Sequence, residues 1–264
     1  MSDDLLYLIR ILLGSIMHQE TITFQLANHY VPQIATRLER LFIAIAQASE
    51  ESHPIIHHYA LKNIIEIIKI IEKPELKSRF IKELMRLEHV LKPLPLSLSN
   101  TQYASLFVQI QVLTHMAGKF GDNIQHHPFL QSVRMAQTAH LNDSDQQAPQ
   151  LVWWLSQETQ QRQHDLLQWF QQLKILHETV TLYLTLLRNT VTFKSIDMIQ
   201  GFYHQPISSK TNCQLILLRM PTALRLVPKI QLGHHGLSLR LCDAVTMQET
   251  RHTNASVELA ICQV

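Results

Sequence analysis

The sequence offers few residue arrangements that could perform catalysis. His53 and His57 stand four positions apart, a spacing that on one helix would present two imidazoles to a metal, with Glu50 or Glu51 as a third ligand. Pro54 lies between the two histidines and argues against one continuous helix there. We therefore interpret both as ordinary polar surface histidines, and we expect no metal site.

Other catalytic patterns are missing from the sequence. It contains no glycine-rich phosphate-binding loop, no H-E-x-x-H, no C-x-x-C and no G-x-S-x-G. Residues 142–145, N-D-S-D, place several side-chain oxygens close together, but the glycine and the terminal glutamate of a calcium-binding loop are absent. We interpret this segment as a solvated loop and predict a protein that is not an enzyme and needs no cofactor.

Two adjacent tryptophans, Trp153 and Trp154, are a further candidate feature. They could form an aromatic platform for a ligand. Large aromatic side chains at the start of a helix more often pack into a core, and we expect that of both.

Isolated basic residues beside apolar segments are the remaining candidates for a binding site. Each alone is most simply a solvated charge or a member of a local ion pair. Together they could line a groove for an acidic peptide, because a guanidinium group binds a carboxylate through two parallel hydrogen bonds. The set comprises Arg37, Arg134, Arg162, Arg188, Lys194, Arg225 and Arg240.

Composition limits the class of partner. The 264 residues are 46% hydrophobic and 17% charged, and the formal net charge is only +2. Such a chain can bury a sizeable core but has no general attraction to nucleic acid or anionic lipid. Any electrostatic partner must therefore bind a local patch, and a nucleic-acid partner is not expected.

The cysteines and the N-terminus indicate a cytoplasmic protein. Cys213, Cys242 and Cys262 are odd in number and not closely spaced, which predicts reduced, mostly buried thiols. The apolar run at 5–17 is interrupted by Arg10. It is too short to span a membrane and lacks the positive start of a signal peptide, so we expect no stable membrane insertion.

The elements that must position the basic residues suggest an α+β fold. Glycines are sparse before residue 190 and more frequent after it. We expect an N-terminal extension at 1–20, an all-α helical bundle domain at 28–189 and a small antiparallel β-sheet or sandwich domain at 190–264. The alternating stretch T-I-T-F-Q-L lies within a predicted strand at 21–27, which we pair with the C-terminal sheet because an isolated strand needs partners.

Hydrophobic periodicity places the individual elements. Three-to-four spacing predicts helices, and the last is a single long helix closing the helical domain. An alternating pattern predicts strands, and the polar stretch 142–149 predicts an exposed loop. The predicted helices are 31–48, 59–72, 75–91, 104–116, 129–139 and 164–188, and the predicted strands are 215–219, 224–227, 237–241 and 257–261.

Several of these segments resemble one family in order and spacing. The most specific matches are W-L-S-Q-E-T-Q-Q-R, the last predicted helix, L-L-R-N-T-V-T-F-K and G-F-Y. The N-terminal helices match more loosely, and the whole resemblance covers about residue 17 to the end. The chain resembles the ZapD family of Z-ring-associated cell division proteins. The matching residues are Trp154, Leu155, Arg162, Trp169, Leu173, Leu184, Arg188, Phe193, Gly201, Phe202 and Tyr203.

The resemblance implies an adaptor rather than an enzyme. Members of the family have a helical and a β domain, form homodimers and bind the C-terminal tail of FtsZ through basic residues. A dimer that holds two tails cross-links FtsZ filaments and stabilises the Z-ring at midcell. The tail-binding residues expected in this chain are Arg37, Arg134, Arg162, Arg188, Lys194 and Arg240.

Not every family pocket position is basic in this chain. Arg37 and Arg240 look like family basic residues, whereas Pro128 and Val152 stand where the family often has a basic residue and a histidine. Met17 resembles the usual family start, so residues 1–16 are either a start-site artefact or a genuine apolar extension. Two other functions stay open: a scaffold for a different partner, or a small-ligand or metal-dependent enzyme on a helical bundle.

Overall fold

The computed structural model describes residues 21–92, 100–139, 149–207 and 212–264. The expected extension at 1–20 and most of the expected loop at 142–149 lie outside these residues. The described chain forms two compact units. One comprises His29–Asn189, and the other comprises Thr190–Val264 together with the strand that precedes His29.

The first unit is helical, as predicted. Each predicted helix matches an observed one, although the last prediction is replaced by two helices. The described helices are α1 (Tyr30–Glu50), α2 (Pro54–Ile71), α3 (Leu76–Leu91), α4 (Asn100–His115), α5 (Asp122–Gln125), α6 (Pro128–Ala139), α7 (Pro149–Leu155), α8 (Thr159–Gln172) and α9 (Lys174–Asn189).

Helix α2 lies at the centre of this unit. Pro54 occupies its first turn, and the side chain of His53 caps it by accepting a hydrogen bond from the backbone N–H of Ile55 at 3.2 Å. Proline thus starts the helix instead of interrupting it, since its missing N–H is not needed there. The isoleucines of this helix occupy more than one of its faces and are buried: Ile64, Ile65, Ile67, Ile68, Ile70 and Ile71.

The single helix predicted at 164–188 is wrong. The chain breaks at Leu173, where φ is −97° and ψ is 4°, and the Leu173 N–H bonds to the oxygen of Phe170 at 3.0 Å. The Leu173 side chain is buried beside Gly121, where an added Cβ would lie 3.1 Å from Leu173 Cδ2. No glycine or proline marks the break, and the apolar stripe continues across it, so periodicity alone did not reveal it.

The second unit is built from two antiparallel sheets, which confirms the predicted fold class. The strands are β1 (Thr21–Ala27), β2 (Lys194–Met198), β3 (Phe202–Gln205), β4 (Cys213–Pro221), β5 (Leu226–Gly233), β6 (Gly236–Asp243) and β7 (Ala255–Gln263). One sheet has the strand order β1-β4-β7-β2 and the other β3-β6-β5. The predictions missed the short strands β2 and β3, and residues 222–224 form a 3₁₀ turn before β5.

Strand β1 pairs with β4, as expected for an early strand that needs partners. The register runs from Thr21 opposite Pro221 to Ala27 opposite Leu215. Phe24 and Leu26 pack against a core to which both sheets contribute. Its fully buried members include Met198, Ile216, Leu218, Leu237, Leu239, Leu241 and Val257.

All three cysteines are buried in this second unit, and none forms a disulfide. Burial raises the pKa of Cys213 to about 11. Its thiol therefore stays protonated near neutral pH and is a poor nucleophile. No helix in the described part of the chain is long and apolar enough to cross a membrane.

Candidate functional site

Arg162 is buried and connects the end of α7, the start of α8 and the segment before α2. Only 3% of the residue is exposed. Its Nε donates to His57 Nδ1 at 3.0 Å, and its two NH₂ groups donate to four oxygens, those of Ser52, Leu155, Gln157 and the Thr159 hydroxyl. A guanidinium group has five N–H donors, and all five have partners within the protein. Arg162 is therefore placed to hold the helices together and has no donor left for a ligand.

His57, the neighbour of Arg162, is also fully buried, so the expectation of a surface histidine is wrong for this residue. Its Nε2 donates to the oxygen of Glu51 at 2.7 Å, which leaves Nδ1 to accept from Arg162. Burial lowers the pKa of His57 below its ordinary value of 6.5, and the charge of Arg162 acts in the same direction. The described residues contain no group of three potential metal ligands, at His57 or elsewhere.

Arg188 joins the last helix of this unit to the first. Its two terminal nitrogens donate to Glu39 Oε1 at 2.6 Å and Oε2 at 2.7 Å. This is the planar two-point geometry that favours arginine over lysine. The pair is partly exposed, with 33% of the Arg188 side chain and 21% of the Glu39 side chain accessible. A peptide carboxylate would have to compete with Glu39 for Arg188.

Arg37 lies on an exposed surface shared by α1 and α2. It forms an ion pair with Glu66, yet 53% of its side chain is accessible. Lys69, one turn further along α2, places its Nζ 3.9 Å from the same carboxylate. Lys62, one turn before Glu66, is exposed. Two cations therefore share one glutamate, and a third cation lies one turn away along the same helix.

The positive surface continues towards the end of α2. Tyr30, at the start of α1, lies between two cations, with Lys73 Nζ 5.6 Å and the Arg79 guanidinium carbon 4.4 Å from its ring centre. Arg79 also approaches Glu75 at 4.0 Å. We call this surface the cationic face and define it by six cations and two carboxylates: Arg37, Arg40, Lys62, Lys69, Lys73 and Arg79, with Glu66 and Glu75.

The lysines of the cationic face were missed by sequence reasoning, although the sequence contains a signal for them. The isoleucine run of α2 fills most of the helix circumference. Positions 62, 66 and 69, spaced by three and four residues, then fall on the remaining face, and Lys73 follows just beyond the end of the helix. Charges on an otherwise apolar helix therefore form a narrow row.

Arg134, on α6, is tied to the same end of α2. It forms an ion pair with Glu72, and 31% of its side chain is accessible. Pro128, at the start of α6, and Val152, on α7, are exposed. Next to Val152, Trp153 is 63% exposed whereas Trp154 is buried and donates its Nε1–H to Asp165 at 2.9 Å. The expectation of two core tryptophans is right for Trp154 and wrong for Trp153.

The β unit carries a second, smaller group of cations. Arg240, on β6, donates to Glu249 at 2.9 Å and lies 5.3 Å from the ring of Phe202 on β3. Lys229, opposite Arg240 on β5, is 3.8 Å from the same glutamate. Two cations and an exposed aromatic ring thus surround one carboxylate on the outer side of this sheet.

Lys194 and Arg225 lie apart from that group. Lys194, on β2, lines a cavity of about 400 Å³ that also includes Tyr203 and Gln205. Arg225 follows the 3₁₀ turn with a positive φ of 52°, and its backbone oxygen accepts from Ala244 at 3.1 Å. The β unit therefore does not gather all of its predicted residues at one place.

Comparison with known proteins decides the family. The family model for ZapD, described as a cell division protein, matches residues 36–240, which include parts of both units. The chain belongs to the ZapD family. A role in cell division follows from this membership, and the residues of the cationic face from Arg37 to Arg79 lie inside the matched region.

Curated relatives agree with this assignment. The chain is similar to the cell division protein ZapD from two strains of Coxiella burnetii, RSA 331 / Henzerling II and RSA 493 / Nine Mile phase I. Each is 26% identical over 226 residues, covering 83% of this chain and 88% of the relative. It is also similar to ZapD from Azoarcus sp. strain BH72, with 24% identity over 234 residues, 86% of this chain and 93% of the relative.

Proposed function

We propose that this protein is a cytoplasmic adaptor of cell division that binds the acidic C-terminal tail of FtsZ, forms a homodimer, and bundles FtsZ filaments at the midcell Z-ring. It does so without catalytic turnover. The observation that carries the proposal is the cationic face on α1 and α2 of a chain in a cell division family. Six cations face two carboxylates there, whereas the whole chain has a net charge of only +2.

The cationic face is suited to an acidic peptide because its charges are only partly neutralised. Glu66 is shared by Arg37 and Lys69, so an incoming carboxylate can bind one of them without leaving Glu66 unpaired. Lys62 has no ion-pair partner among the described residues and is exposed. Exposed ion pairs contribute about 1 kcal/mol or less each, so exchange of partners is inexpensive and each contact with a tail is weak.

The proposed contact set replaces two residues of the sequence-based set on the helical unit and is unchanged on the β unit. Arg37 and Arg134 are accessible and remain in it, joined by Lys62 and Lys69. Arg162 is left out because all its donors are used inside the protein, and Arg188 because Glu39 occupies both of its terminal nitrogens. The proposed contacts of the β unit are Lys194 and Arg240.

Bundling follows from the number of tail-binding sites in the assembly. One tail-binding site can only decorate a filament, whereas two sites in a dimer connect two filaments, and capture of the second tail is effectively intramolecular. Ordering a flexible tail costs conformational entropy, which keeps single contacts weak and the bundle reversible.

Co-sedimentation with FtsZ tests the proposal. Wild-type protein should bring FtsZ filaments into a low-speed pellet and should fail to do so with FtsZ that lacks its C-terminal tail. The double variant Lys62→Glu, Lys69→Glu should lower the pelleted fraction several-fold, and Arg37→Glu should act in the same direction because it places a carboxylate beside Glu66. Lys119→Glu, an exposed lysine outside the cationic face, is the matched control and should pellet FtsZ as the wild type does.

Three results would contradict the proposal or the site that it assigns. Equal pelleting of intact and tail-deleted FtsZ would remove the tail as the ligand. If neither the wild type nor the variants bind FtsZ, the protein is better explained as a scaffold for another partner. Unchanged pelleting by both charge-reversal variants would move the site away from the cationic face.

A further inference from the structure

Strands β2 and β3 leave the same tight turn and then join different sheets. Two backbone hydrogen bonds between Ile199 and Phe202, of 3.1 Å and 3.0 Å, close the turn. Beyond it, β2 pairs with β7 in one sheet and β3 pairs with β6 in the other. Within the described residues, each of the two is an outer strand of its sheet. Strand pairing therefore does not join the two sheets on this side.

A cavity of about 400 Å³ lies between these two outer strands. Lys194 and Ile196 of β2 line it from one side, and Tyr203 and Gln205 of β3 line it from the other. Ile261 of β7 also contributes to the lining. The volume is within the range of pockets that hold ligands in proteins. We call this cavity the edge cleft.

The edge cleft is apolar inside and has a cation at its mouth. Alternate residues of a strand lie on the same face of a sheet, so Lys194, Ile196 and Met198 share one face. Met198 is fully buried in the core between the sheets, Ile196 is partly buried against that core, and Lys194 is exposed. Tyr203 and Ile261 also pack against the core. The space between the sheets thus opens to solvent from the turn towards Lys194.

Lys194 is available to an acidic ligand. The residues that line the edge cleft include no Asp or Glu, and Lys194 is their single charged member. The ion pairs in the described part of the β unit involve Arg219, Lys229 and Arg240, and none involves Lys194. A carboxylate on a bound ligand would therefore pair with Lys194 without displacing a carboxylate of the protein.

We propose that the edge cleft binds an extended stretch of the FtsZ C-terminal tail as an added strand on the outer edge of β2. An edge strand presents backbone N–H and C=O groups with which another chain can pair. Addition of a peptide to such an edge is a recurrent mode of recognition. The inference rests on the proposed function, in which Lys194 is a contact of the β unit. It adds the conformation of the bound tail and the backbone groups that hold it.

The shape and charge of the edge cleft favour a peptide over other ligands. Nucleic acid and an anionic lipid surface carry many charges and need several cations, whereas the edge cleft supplies one. Every second side chain of an added strand would point into the cleft, towards Ile196, Tyr203 and Ile261, and the others would point away from it. The bound stretch should therefore carry apolar side chains at alternate positions and a carboxylate near Lys194.

Methylation of the tail backbone tests strand addition directly. The probe is a fluorescently labelled FtsZ tail peptide, and its affinity for the full chain is measured by fluorescence anisotropy. A series of peptides carries an N-methyl group at one backbone nitrogen at a time. Only alternate residues of an added strand direct their N–H groups towards the neighbouring strand. Methylation at every second position should therefore lower the affinity several-fold, and methylation at the positions between should change it little.

Charge reversal and hydrogen exchange locate the bound peptide on the protein. Lys194→Glu should lower the affinity for the unmodified peptide several-fold, because it sets like charges against each other. Arg251→Glu, which changes an exposed cation of the same unit outside the edge cleft, is the matched control and should bind as the wild type does. The peptide should slow amide exchange in β2 (194–198) and leave exchange in β5 (226–233) unchanged.

The outcomes separate this inference from the proposed function. Alternation along the methylated series together with slower exchange in β2 supports it. A Lys194→Glu protein that binds the tail peptide and pellets FtsZ as the wild type does overturns the inference and leaves the adaptor intact. Weaker binding by Lys194→Glu without alternation also overturns it, since Lys194 then acts through its charge alone.

Two further results would overturn the inference. A wild-type protein that does not bind the tail peptide removes the inference and the proposed function together. Faster exchange in β2 after removal of residues 1–16, with no peptide present, would show that the protein's own chain already covers this edge.

Discussion

At the scale of residues, two arginines that look alike in sequence have opposite surroundings. Arg37 is half exposed and shares Glu66 with a lysine, whereas Arg162 is buried with five partners. Burial of a guanidinium group is unfavourable unless every donor is satisfied, and that condition is met at Arg162. The first residue can bind a ligand, and the second stabilises the helical unit.

Replacing Arg162 should therefore lower stability. Arg162→Leu removes all five hydrogen bonds and leaves the buried His57 Nδ1 and partly buried oxygens without their donor, and we expect the free energy of unfolding in urea to fall by about 3 kcal/mol or more. Arg251→Leu, which changes an exposed arginine, should alter it by less than about 0.5 kcal/mol. Similar small losses for both variants would show that the Arg162 network contributes little.

His57 makes stability depend on pH. Its pKa is lowered in the folded protein, mainly by burial, so the unfolded chain binds a proton more readily. The free energy of unfolding should be independent of His57 above its unfolded pKa of 6.5 and should fall as the pH drops below it. Burial also lowers the pKa of His177, so the wild type loses stability through both groups.

The variant His57→Gln isolates the first contribution. Between pH 7 and pH 5, the variant should lose less stability than the wild type, whatever its stability at pH 7. Urea unfolding at several pH values measures this difference in slope. Parallel curves for the two proteins would contradict a neutral His57 in the folded state.

At the scale of elements, the β5–β6 hairpin depends on one of its two glycines. Gly233 and Gly236 face each other across the turn. Gly236 has a φ of +122°, and an added Cβ would lie 2.3 Å from the oxygen of Gln205, whereas a Cβ at Gly233 would meet nothing within 4 Å. The sequence shows two similar glycines, and the tertiary approach of Gln205 distinguishes them.

The matched substitutions Gly236→Ala and Gly233→Ala should therefore differ. The first forces a strained backbone and a clash, and it should lower the free energy of unfolding by about 2 kcal/mol or more. The second should change it by less than about 1 kcal/mol, in the stabilising direction, because alanine restricts the unfolded chain. Thermal or urea unfolding of both variants provides the comparison, and equal effects would refute the role of Gln205.

At the scale of the whole molecule, the proposed function assigns tail capture to the cationic face and bundling to a dimer. Binding by charge is screened by salt, since the Debye length at 0.1 M ionic strength is about 10 Å, whereas contacts between apolar side chains are not weakened by it. Tail capture and self-association should thus respond differently to ionic strength.

Raising the salt concentration from about 50 mM to about 300 mM should lower the affinity for an FtsZ tail peptide several-fold while the protein remains a dimer. Fluorescence anisotropy of a labelled tail peptide and sedimentation equilibrium measure the two quantities on the same samples. Loss of the dimer together with the peptide would indicate that one charged surface serves both functions. Affinity that is independent of salt would contradict an electrostatic tail site.

The sequence by itself determined the fold class and most of the elements. Periodicities of 3.6 and 2 report local geometry, so the helices of the first unit, apart from the break at Leu173, and the longer strands of the second unit were predicted correctly. The family was also recognisable, because its motifs are carried by particular residues in order. These features depend on neighbours along the chain.

Only the tertiary structure decided what depends on distant neighbours. Leu173, where the helix breaks, packs beside Gly121, which is 52 positions away in the chain. His57 is buried against Arg162, more than 100 positions away. Trp153 is exposed whereas its neighbour Trp154 is buried. The sequence does not show whether a basic residue has no carboxylate partner, shares one with another cation, or has one to itself. The availability of each cation is set by contacts between helices, which the pattern along one helix does not contain.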